Sequence, residues 1–399
     1  RKNLNKIIAQ DKIIKFVYFF TFFTLFDLLP GKPNYRMCEW HCNALVKDAN
    51  TYQPDTLDLN KDEEAANYWF PCFHDMIEKF ARQAAQSQRE TDDSADARAE
   101  QFKQTYIKKL EEYRSATKEN AASNRVLGIR ELLELNDKQL RLYGFEDPWL
   151  QQKKSENEVA LPLFAERIKE IDAMENSTQR WLELVRGVLA GNMFDWGAQA
   201  VANIIQKDKS FGLHAALERI QKRPWLMDDL DKWLQRLQGS RHKCAAIFVD
   251  NSGVDVILGI LPFARELLKR GTKVILCANT DPSLNDVTSS ELNTILDSCN
   301  CQCAVMKEAR LNGKLVVFGN GQHGPCLDMR TLPQDLCEAL QKNETDLLVI
   351  EGMGRALHTN LYAQFNCETL KLAVVKNKWL AQRLGGDTFS VICKYEPLS

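Results

Sequence analysis

The 399-residue sequence contains no block of basic residues. Its 52 lysines and arginines are balanced by 54 aspartates and glutamates, which gives a formal net charge of −2 and a pI near 6.4. Proteins that bind nucleic acid ordinarily carry a basic patch or stripe, so the composition argues against a nucleic-acid partner. A small anionic ligand is still compatible with it, because a few cations can hold such a ligand locally.

The chain also lacks an uncharged apolar run of the roughly 20 residues that span a bilayer. The most apolar stretch, residues 16–29, is shorter, contains Asp27 and precedes Pro30 without a small-residue cleavage site. Because the sequence begins at Arg1, a fragment, a non-native leader, an incorrectly assigned start before Met37 and a signal anchor all stay open for this region. For the remainder we expect a cytoplasmic protein with no stable membrane association.

A disulfide framework is missing too. The twelve cysteines are scattered, and the 44% apolar share is ample for a core without such cross-links. Several cysteines, among them Cys244, Cys277 and Cys393, lie inside apolar runs, where a thiol acts as a small hydrophobe. The interpretation is a reduced, intracellular protein. Cys299, Cys301 and Cys303 alternate, but no fourth ligand for zinc is evident.

Two different patterns divide the chain. Apolar residues recur at three- and four-residue spacing before residue 240, which predicts helices. After it, apolar runs alternate with helical stretches, which predicts a parallel sheet with right-handed crossovers. The expected fold class is α/β, with a Rossmann-like parallel sheet sandwich in the C-terminal half and a helical N-terminal part. The expected divisions are an uncertain extension over 1–50, a helical domain over 51–240 and an α/β domain over 241–399. The strand candidates are 244–250, 272–279, 314–320, 346–352, 370–377 and 388–395.

Polar and glycine residues cluster where four of these predicted strands end. Ligands of open α/β sheets bind beside the carboxyl ends of the strands, so these residues are candidates for one site. Carboxylate and amide oxygens suit hard divalent cations, basic side chains suit phosphate, and glycines let backbone N–H groups approach an anion. Helix caps and ordinary turns remain the alternative for each group alone. The groups are Asp250–Gly253, Asp286 beyond Asn279, Glu351–Arg355 followed by His358, and Lys376.

Longer motifs resemble the damage-control phosphatase family, in the branch that carries an EGMGR motif and includes phosphatase domains joined to a kinase-dead pantothenate kinase. The resemblance runs from about Tyr52 to Tyr395. It is carried by DNSGVDVILGILPFARELLKRGTKVILCANTDPSLNDVT (250–288), EGMGRALHTN (351–360), LKLAVVKNKWLAQRLGG (370–386) and GVLAGNMFDWGAQAV (187–201).

The resemblance implies a phosphatase that uses a divalent metal ion (Mn²⁺, Ni²⁺, Co²⁺ or Mg²⁺) and acts on small phosphometabolites. The implied substrate is 4′-phosphopantetheine with its oxidised or damaged forms, whose hydrolysis would limit coenzyme A synthesis. The matching metal ligands are Asp250, Asn251 and Asp286. We expect Asp250, Lys376 and Arg355 to act in catalysis, with a metal-positioned water attacking the phosphate. Whether Asp250 itself is the nucleophile stays open, as does the oligomeric state.

Further residues are expected to bind the substrate. Asn192 and Asp195 lie three apart, so on a helix they would share a face, although a helix cap is an equal alternative. The resemblance favours a place for both in the cleft, where they would close it over the metal. The full set of expected substrate-binding residues is Asn192, Asp195, Ser252, Glu351, Gly352, Gly354 and His358.

Two other functions compete with a phosphatase. A Rossmann-type methyltransferase or dinucleotide enzyme would use the same sheet, but no G-x-G-x-x-G follows the first strand. A non-catalytic metabolite-binding scaffold is the second alternative, and the intact polar cluster argues against it. Neither a G-x-S-x-G elbow nor a DxDx[TV] aspartyl-phosphate motif at the first strand is present, because Asp250 is followed by Asn-Ser-Gly. The pattern therefore does not indicate a phospho-aspartate intermediate.

Overall fold

The computed structural model describes residues 43–120, 125–193 and 213–398. Asp195 and the apolar stretch 16–29 therefore lie outside the described residues. The described ranges belong to one compact unit, His41–Ser399, and the three expected domain divisions stay predictions. Within these ranges no helix combines the length and the apolar character needed to cross a membrane.

The part before residue 240 is mainly helical, as the spacing of its apolar residues predicts. Asp62 caps the first helix by accepting a hydrogen bond from the backbone N–H of Ala65 at 2.9 Å. Asn176 caps the sixth helix through Gln179 in the same way. Short 3₁₀ turns lie at Asn43–Leu45 and Leu161–Leu163. The helices are α1 (Glu63–Gln88), α2 (Ala95–Asn120), α3 (Ile129–Leu142), α4 (Leu150–Ala160), α5 (Phe164–Asp172), α6 (Ser177–Asn192), α7 (Leu213–Arg219) and α8 (Leu230–Arg236).

The described residues form one seven-stranded sheet. The six runs predicted as strands are strands, and five of them are largely buried, as continuous apolar runs indicate. The edge strand at Leu315–Gly319 is only partly buried beyond its first residue. A two-residue strand in the helical part was not predicted. The strands are β1 (Met227–Asp228), β2 (Cys244–Phe248), β3 (Lys273–Ala278), β4 (Leu315–Gly319), β5 (Leu347–Glu351), β6 (Glu368–Val375) and β7 (Ser390–Glu396).

The sheet is mostly parallel, in the order β1-β7-β6-β5-β2-β3-β4. Strands β2 to β6 run parallel to one another, β7 runs antiparallel to β6, and β1 runs parallel to β7. The expectation of a parallel strand at 388–395 was therefore wrong. The backbone N–H of Phe389 donates to the carbonyl of Val375 at 2.7 Å, so the chain re-enters the sheet at the edge where β6 ended and must run back.

The α/β part has its helices between the strands. The predicted helix at 254–271 begins as a π-helix, a geometry often found at functional sites, and continues as an α-helix. The π-helical segments are Asp255–Ile260 and Met353–His358, and a 3₁₀ turn lies at Met329–Thr331. The α-helices are α9 (Leu261–Lys269), α10 (Ser289–Asn300), α11 (Ala304–Leu311), α12 (Gln334–Lys342) and α13 (Lys378–Arg383).

The strand order reverses direction at β2. From β2 the chain proceeds to β3 and β4 on one side, while β5 and β6 lie on the other. Such a reversal opens a crevice at the carboxyl ends of the strands. Phe248 of β2 lies opposite both Cys277 of β3 and Ile350 of β5. The residues that follow these three strands consequently meet at one edge.

Candidate active site

The three side chains expected to bind a metal meet at this edge. Asp250 and Asn251 follow β2, and Asn251 pairs with Asp286 in an isolated β-bridge. The backbone N–H of Val287 donates to the carbonyl of Asp250 at 2.9 Å, which fixes the 281–287 loop against the end of β2. Asp250, Asn251 and Asp286 all line the same cavity. The juxtaposition inferred from the strand ends is present.

A fully buried guanidinium joins the two aspartates. Arg355 pairs with Asp250 through Nη1, and its Nη2 donates to Asp286 Oδ2 at 2.7 Å and to Asn279 Oδ1 at 2.8 Å. Burial disfavours its charge, but the carboxylates of Asp286 and Asp250 outweigh that cost and raise the pKa of Arg355. Arg355 is absent from the residues that line the cavity. It therefore contacts the acids from behind rather than facing the space where a substrate would lie.

Asn251 is oriented by the acids around it. Its Nδ2 donates to Asp255 Oδ2 at 2.8 Å and to Asp250 Oδ2 at 3.0 Å. An ionised carboxylate can accept hydrogen bonds but cannot donate them, so these contacts place the amide nitrogen of Asn251 on the side of the carboxylates. The Oδ1 of Asn251 makes no hydrogen bond within the described residues. It is thus available as an oxygen ligand on the cavity side.

A second layer of buried polar groups supports Asp250. Asn192, at the end of α6, donates to Asp250 Oδ2 at 2.9 Å and to Glu351 Oε1 at 2.6 Å. Glu351 Oε2 accepts from the backbone N–H of Asp250 at 2.9 Å. Asn192 and Glu351 have no exposed surface and do not line the cavity. Their predicted role in substrate binding stays a prediction, while the contacts found here position Asp250.

Burial shifts the titration of this layer. It raises the pKa of Asp255 to about 7, with a further contribution from the charge of Asp250. Burial, then the charges of Asp255 and Asp250, raises the pKa of Glu351 well above its ordinary range. The carboxylates of Asp250, Asp255 and Glu351 offer oxygens within 4.8 Å of one another. So dense a group of buried acids favours a bound cation or shared protons.

Asp255 and Asn279 are two residues that sequence reasoning did not assign to the site. Asp255 Oδ1 is buried and has no hydrogen-bond partner within the described part of the chain. Asn279 donates to Asp286 Oδ2 at 2.9 Å and accepts from Arg355. The signals were present: Asp255 is an acid inside an otherwise apolar run, and Asn279 ends a buried strand. An acid that interrupts a buried helix is costly unless it has a partner or a function.

The cavity has a volume of about 670 Å³, within the range of small-molecule sites. Its floor is the polar edge of the sheet, and helix α1 covers it from the helical part. The polar floor consists of Asp250, Asn251, Asn285, Asp286, Gly354, His358 and Lys376. The α1 residues of the roof include Tyr68, Trp69, Cys72, Phe73, Met76 and Phe80.

The remaining predicted residues have different surroundings. Lys376 lines the cavity, and its Nζ donates to the carbonyl of Asn192 at 2.8 Å. His358 also lines the cavity, and the Trp69 ring packs edge-on against the His358 ring at 5.2 Å. Burial, and then the charge of Lys376, lowers the pKa of His358 to about 4, which keeps the imidazole neutral. Ser252 is buried away from the lining, and its hydroxyl has no partner among the described residues.

Gly352 allows β5 to pass close to Asp250. Its φ of 102° and ψ of 156° are accessible essentially only to glycine, and a Cβ there would lie 2.3 Å from Asp250 Cγ. We expect Gly352→Ala to destabilise the fold by about 3 kcal/mol and to displace Asp250, as measured by urea denaturation and by metal titration. Gly313→Ala is the control, because Gly313 has φ 68° but no atom within 4 Å of a Cβ. Equal destabilisation by both variants would mean that the contact with Asp250 is unimportant.

Comparison with known proteins gives consistent matches. Residues 71–392 match the damage-control phosphatase ARMT1-like domain. The chain is 40% identical to the 4′-phosphopantetheine phosphatase of Mus musculus, in an alignment that covers 88% of this chain and 48% of the mouse protein. It is 35% identical to a damage-control phosphatase of Arabidopsis thaliana, over 92% of this chain and 95% of that protein.

Two further matches define the extent of the similarity. The chain is 38% identical to pantothenate kinase 2 of Arabidopsis thaliana, covering 89% of this chain and 42% of that protein. It thus spans less than half the length of this relative and of the mouse protein. A crystal structure of a DUF89 family protein from Pyrococcus horikoshii superposes with a TM-score of 0.51 at 16% identity, over 80% of this chain and 96% of that one. That likeness concerns the fold alone.

Proposed function

This chain belongs to the ARMT1-like damage-control phosphatase family, and on that basis we propose that it hydrolyses 4′-phosphopantetheine and its oxidised or damaged forms with the help of a divalent metal ion. The observation that carries the proposal is the cavity in which Asp250, Asn251, Asp286 and Lys376 lie together at the carboxyl edge of the sheet. The similarity to the mouse 4′-phosphopantetheine phosphatase supports this substrate. Removing this intermediate would limit coenzyme A synthesis.

The residues present fit a hard divalent cation. The candidate donors are oxygens: the carboxylates of Asp250 and Asp286 and the Oδ1 of Asn251, which lacks a hydrogen bond within the described residues. Oxygen donors suit Mg²⁺ or Mn²⁺, and Co²⁺ and Ni²⁺ are also tolerated. When bound, the cation would neutralise charge on the phosphoryl group and activate a water molecule. Asp255 and Glu351 would then act indirectly, by holding Asn251 and Asp250.

The chain's own groups would hold the phosphate beside these ligands. Lys376 lies on the cavity floor with its ammonium anchored to the carbonyl of Asn192, where it can donate to phosphoryl oxygens. The backbone at Gly354 lines the cavity as well, and its N–H groups are the second proposed source of stabilisation. Arg355, expected from the sequence to act in catalysis, is proposed instead to position Asp250 and Asp286.

Replacing Lys376 separates these roles. We expect Lys376→Ala to lower kcat by about 100-fold, the typical effect of removing one group that stabilises transition-state charge, while the dissociation constant for Mn²⁺ changes by less than about threefold. Phosphate release and calorimetric metal titration measure the two quantities. Lys243→Ala is the control, because Lys243 is exposed and pairs with Glu344 on the surface. Loss of metal binding in Lys376→Ala would assign this lysine to the metal site instead.

A phosphate-release assay tests the proposal directly. Purified protein, depleted of metal and then supplied with Mn²⁺, Mg²⁺, Co²⁺ or Ni²⁺, is expected to release phosphate from 4′-phosphopantetheine only when a cation is present. Absence of release with every cation would favour the non-catalytic scaffold, and retained S-adenosylmethionine would revive the methyltransferase. A cytoplasmic location and the absence of nucleic-acid and stable membrane partners are kept as parts of the proposal.

A further inference from the structure

One end of the cavity is lined by apolar side chains that the proposed phosphate chemistry does not use. The opposite end holds Lys376 and His358, and Trp69 of α1 packs edge-on against the His358 ring. We call the first end the apolar end; it is formed by Met76 and Phe80 of α1, Leu133 of α3, and Leu284 of the loop that carries Asp286.

The cavity is elongated along α1. Residues of this helix from Asn67 to Phe80 line it, and among them Trp69, Cys72, Met76 and Phe80 recur every three or four positions, as residues on one helix face do. At 1.5 Å per residue these positions span about 16 Å. The cavity therefore follows about three turns of the helix, from the end that holds Lys376 and His358 to the apolar end. A phosphate held near Lys376 would leave this length for the rest of a substrate.

Leu284 is held in the cavity wall by an uncommon backbone conformation. Its φ is 48°, in the left-handed region that a leucine rarely adopts. Two contacts from α3 fix the loop: Ser283 Oγ donates to Asp137 Oδ2 at 2.5 Å, and Arg141 donates to the carbonyl of Pro282 at 3.2 Å. Strained residues of this kind concentrate at ligand sites. Helix α3 thus supplies Leu133 to the cavity and also holds the loop that carries Leu284.

The chemistry of this region selects among phosphate esters. Asp75 and Lys79 are the charged residues of α1 that line the cavity. Because their charges are opposite, this part of the wall suits an uncharged portion of a ligand. Near Trp69, Pro71 has no N–H, so the carbonyl of Asn67 lacks its usual helical donor; both residues line the cavity. With this acceptor near Trp69 and apolar side chains beyond it, the cavity suits an aliphatic chain that contains amides. A sugar would leave its hydroxyl groups without partners there.

We infer that the apolar end binds the uncharged, amide-containing arm of the phosphomonoester and so determines which esters are hydrolysed. This inference rests on the proposed phosphatase function and adds the residues that select the substrate. Met76 and Leu133 are only partly buried, so either can be enlarged with little disturbance of the core. Each projects from a different helix towards the same space, which makes them independent probes of it.

The test uses Met76→Trp and Leu133→Trp, with His74→Trp as the matched control. His74 is an exposed residue of α1 that does not line the cavity. The first measurement is calorimetric binding of pantetheine, the arm without its phosphate. The second is kcat/KM for 4′-phosphopantetheine divided by kcat/KM for p-nitrophenyl phosphate, which has no such arm. We expect both filling variants to weaken pantetheine binding at least tenfold and to lower the ratio at least tenfold. The control is expected to match the wild type in both.

The two measurements separate failure of the arm site from failure of the phosphatase. If wild-type protein does not bind pantetheine at millimolar concentration, or if both filling variants bind it as well as the control does, the arm site is refuted. If wild-type protein binds pantetheine and the filling variants do not, but no cation supports phosphate release, the arm site stands and the phosphatase proposal fails.

Discussion

Asp250→Ala is expected to abolish nearly all metal-dependent hydrolysis while leaving the protein folded. Asp250 lines the cavity, accepts hydrogen bonds from Asn192 and Asn251, and pairs with Arg355. The substitution removes the Asp250 carboxylate, which is a proposed metal ligand and is held in place by these three neighbours. Metal-assisted stabilisation of a phosphoryl transition state is worth several kcal/mol, and each 1.36 kcal/mol is a factor of ten in rate. We therefore expect kcat/KM to fall by about 1,000-fold or more.

The measurement combines phosphate release, calorimetric Mn²⁺ binding and circular dichroism. Asp281→Ala is the matched control, because Asp281 lies on the same loop as Asp286 but is exposed and pairs with His323. The control is expected to retain wild-type turnover and metal affinity. Full turnover in folded Asp250→Ala would move the active site away from the carboxyl end of β2.

Arg355→Met is expected to unfold more easily than the wild type in the absence of metal, and to recover when a divalent cation is added. The substitution leaves Asp250 and Asp286 buried without their shared guanidinium. Removing one partner of a buried ion pair costs about 3–5 kcal/mol. Since 1 kcal/mol corresponds to about 2–4 °C for a domain of 150–250 residues, we expect the Tm to fall by about 10 °C. A cation bound between the acids would restore part of the missing charge.

Thermal melts with chelator and with increasing Mn²⁺ measure this effect. Arg223→Met is the control, because Arg223 pairs with Asp228 and Asp231 near the surface, where an ion pair contributes about 1 kcal/mol or less. The increase in Tm caused by Mn²⁺ should be larger for Arg355→Met than for the control. Equal melting of the two variants in chelator would show that the pairing with Arg355 contributes little to stability.

The sequence predicted the sheet edge better than the cover above it. Asp250, Asp286 and Lys376 could be placed because each follows an apolar run, and parallel strands bring their carboxyl ends together. Helical periodicity gives the buried face of α1 but not what that face packs against, so Met76 and Leu133 carried no signal of a ligand site. The direction of β7 was missed for a similar reason, since it is set by the contact between Phe389 and Val375 rather than by strand composition.

The different roles of the residues inside the site also could not be predicted from the sequence. A motif groups Glu351, Gly352 and Arg355 because they are adjacent in the chain. In the structure Gly352 passes close to Asp250, while Glu351 accepts a hydrogen bond from the backbone N–H of Asp250 and Arg355 pairs with the carboxylates of Asp250 and Asp286. Asp255 was overlooked because an acid early in a helix is usually a simple favourable interaction with the helix dipole. Its burial and its orphaned oxygen depend on tertiary packing.

The two walls of the cavity come from different parts of the chain, and this arrangement affects how such proteins diverge. The floor that would perform hydrolysis is encoded after residue 249, whereas α1 and α3, which cover it, are encoded before residue 143. Substitutions in the cover can alter which metabolite is accepted without disturbing the acids. Relatives that share the floor but differ at positions such as Met76 and Leu133 are therefore expected to have acquired new substrates while keeping one ancestral reaction.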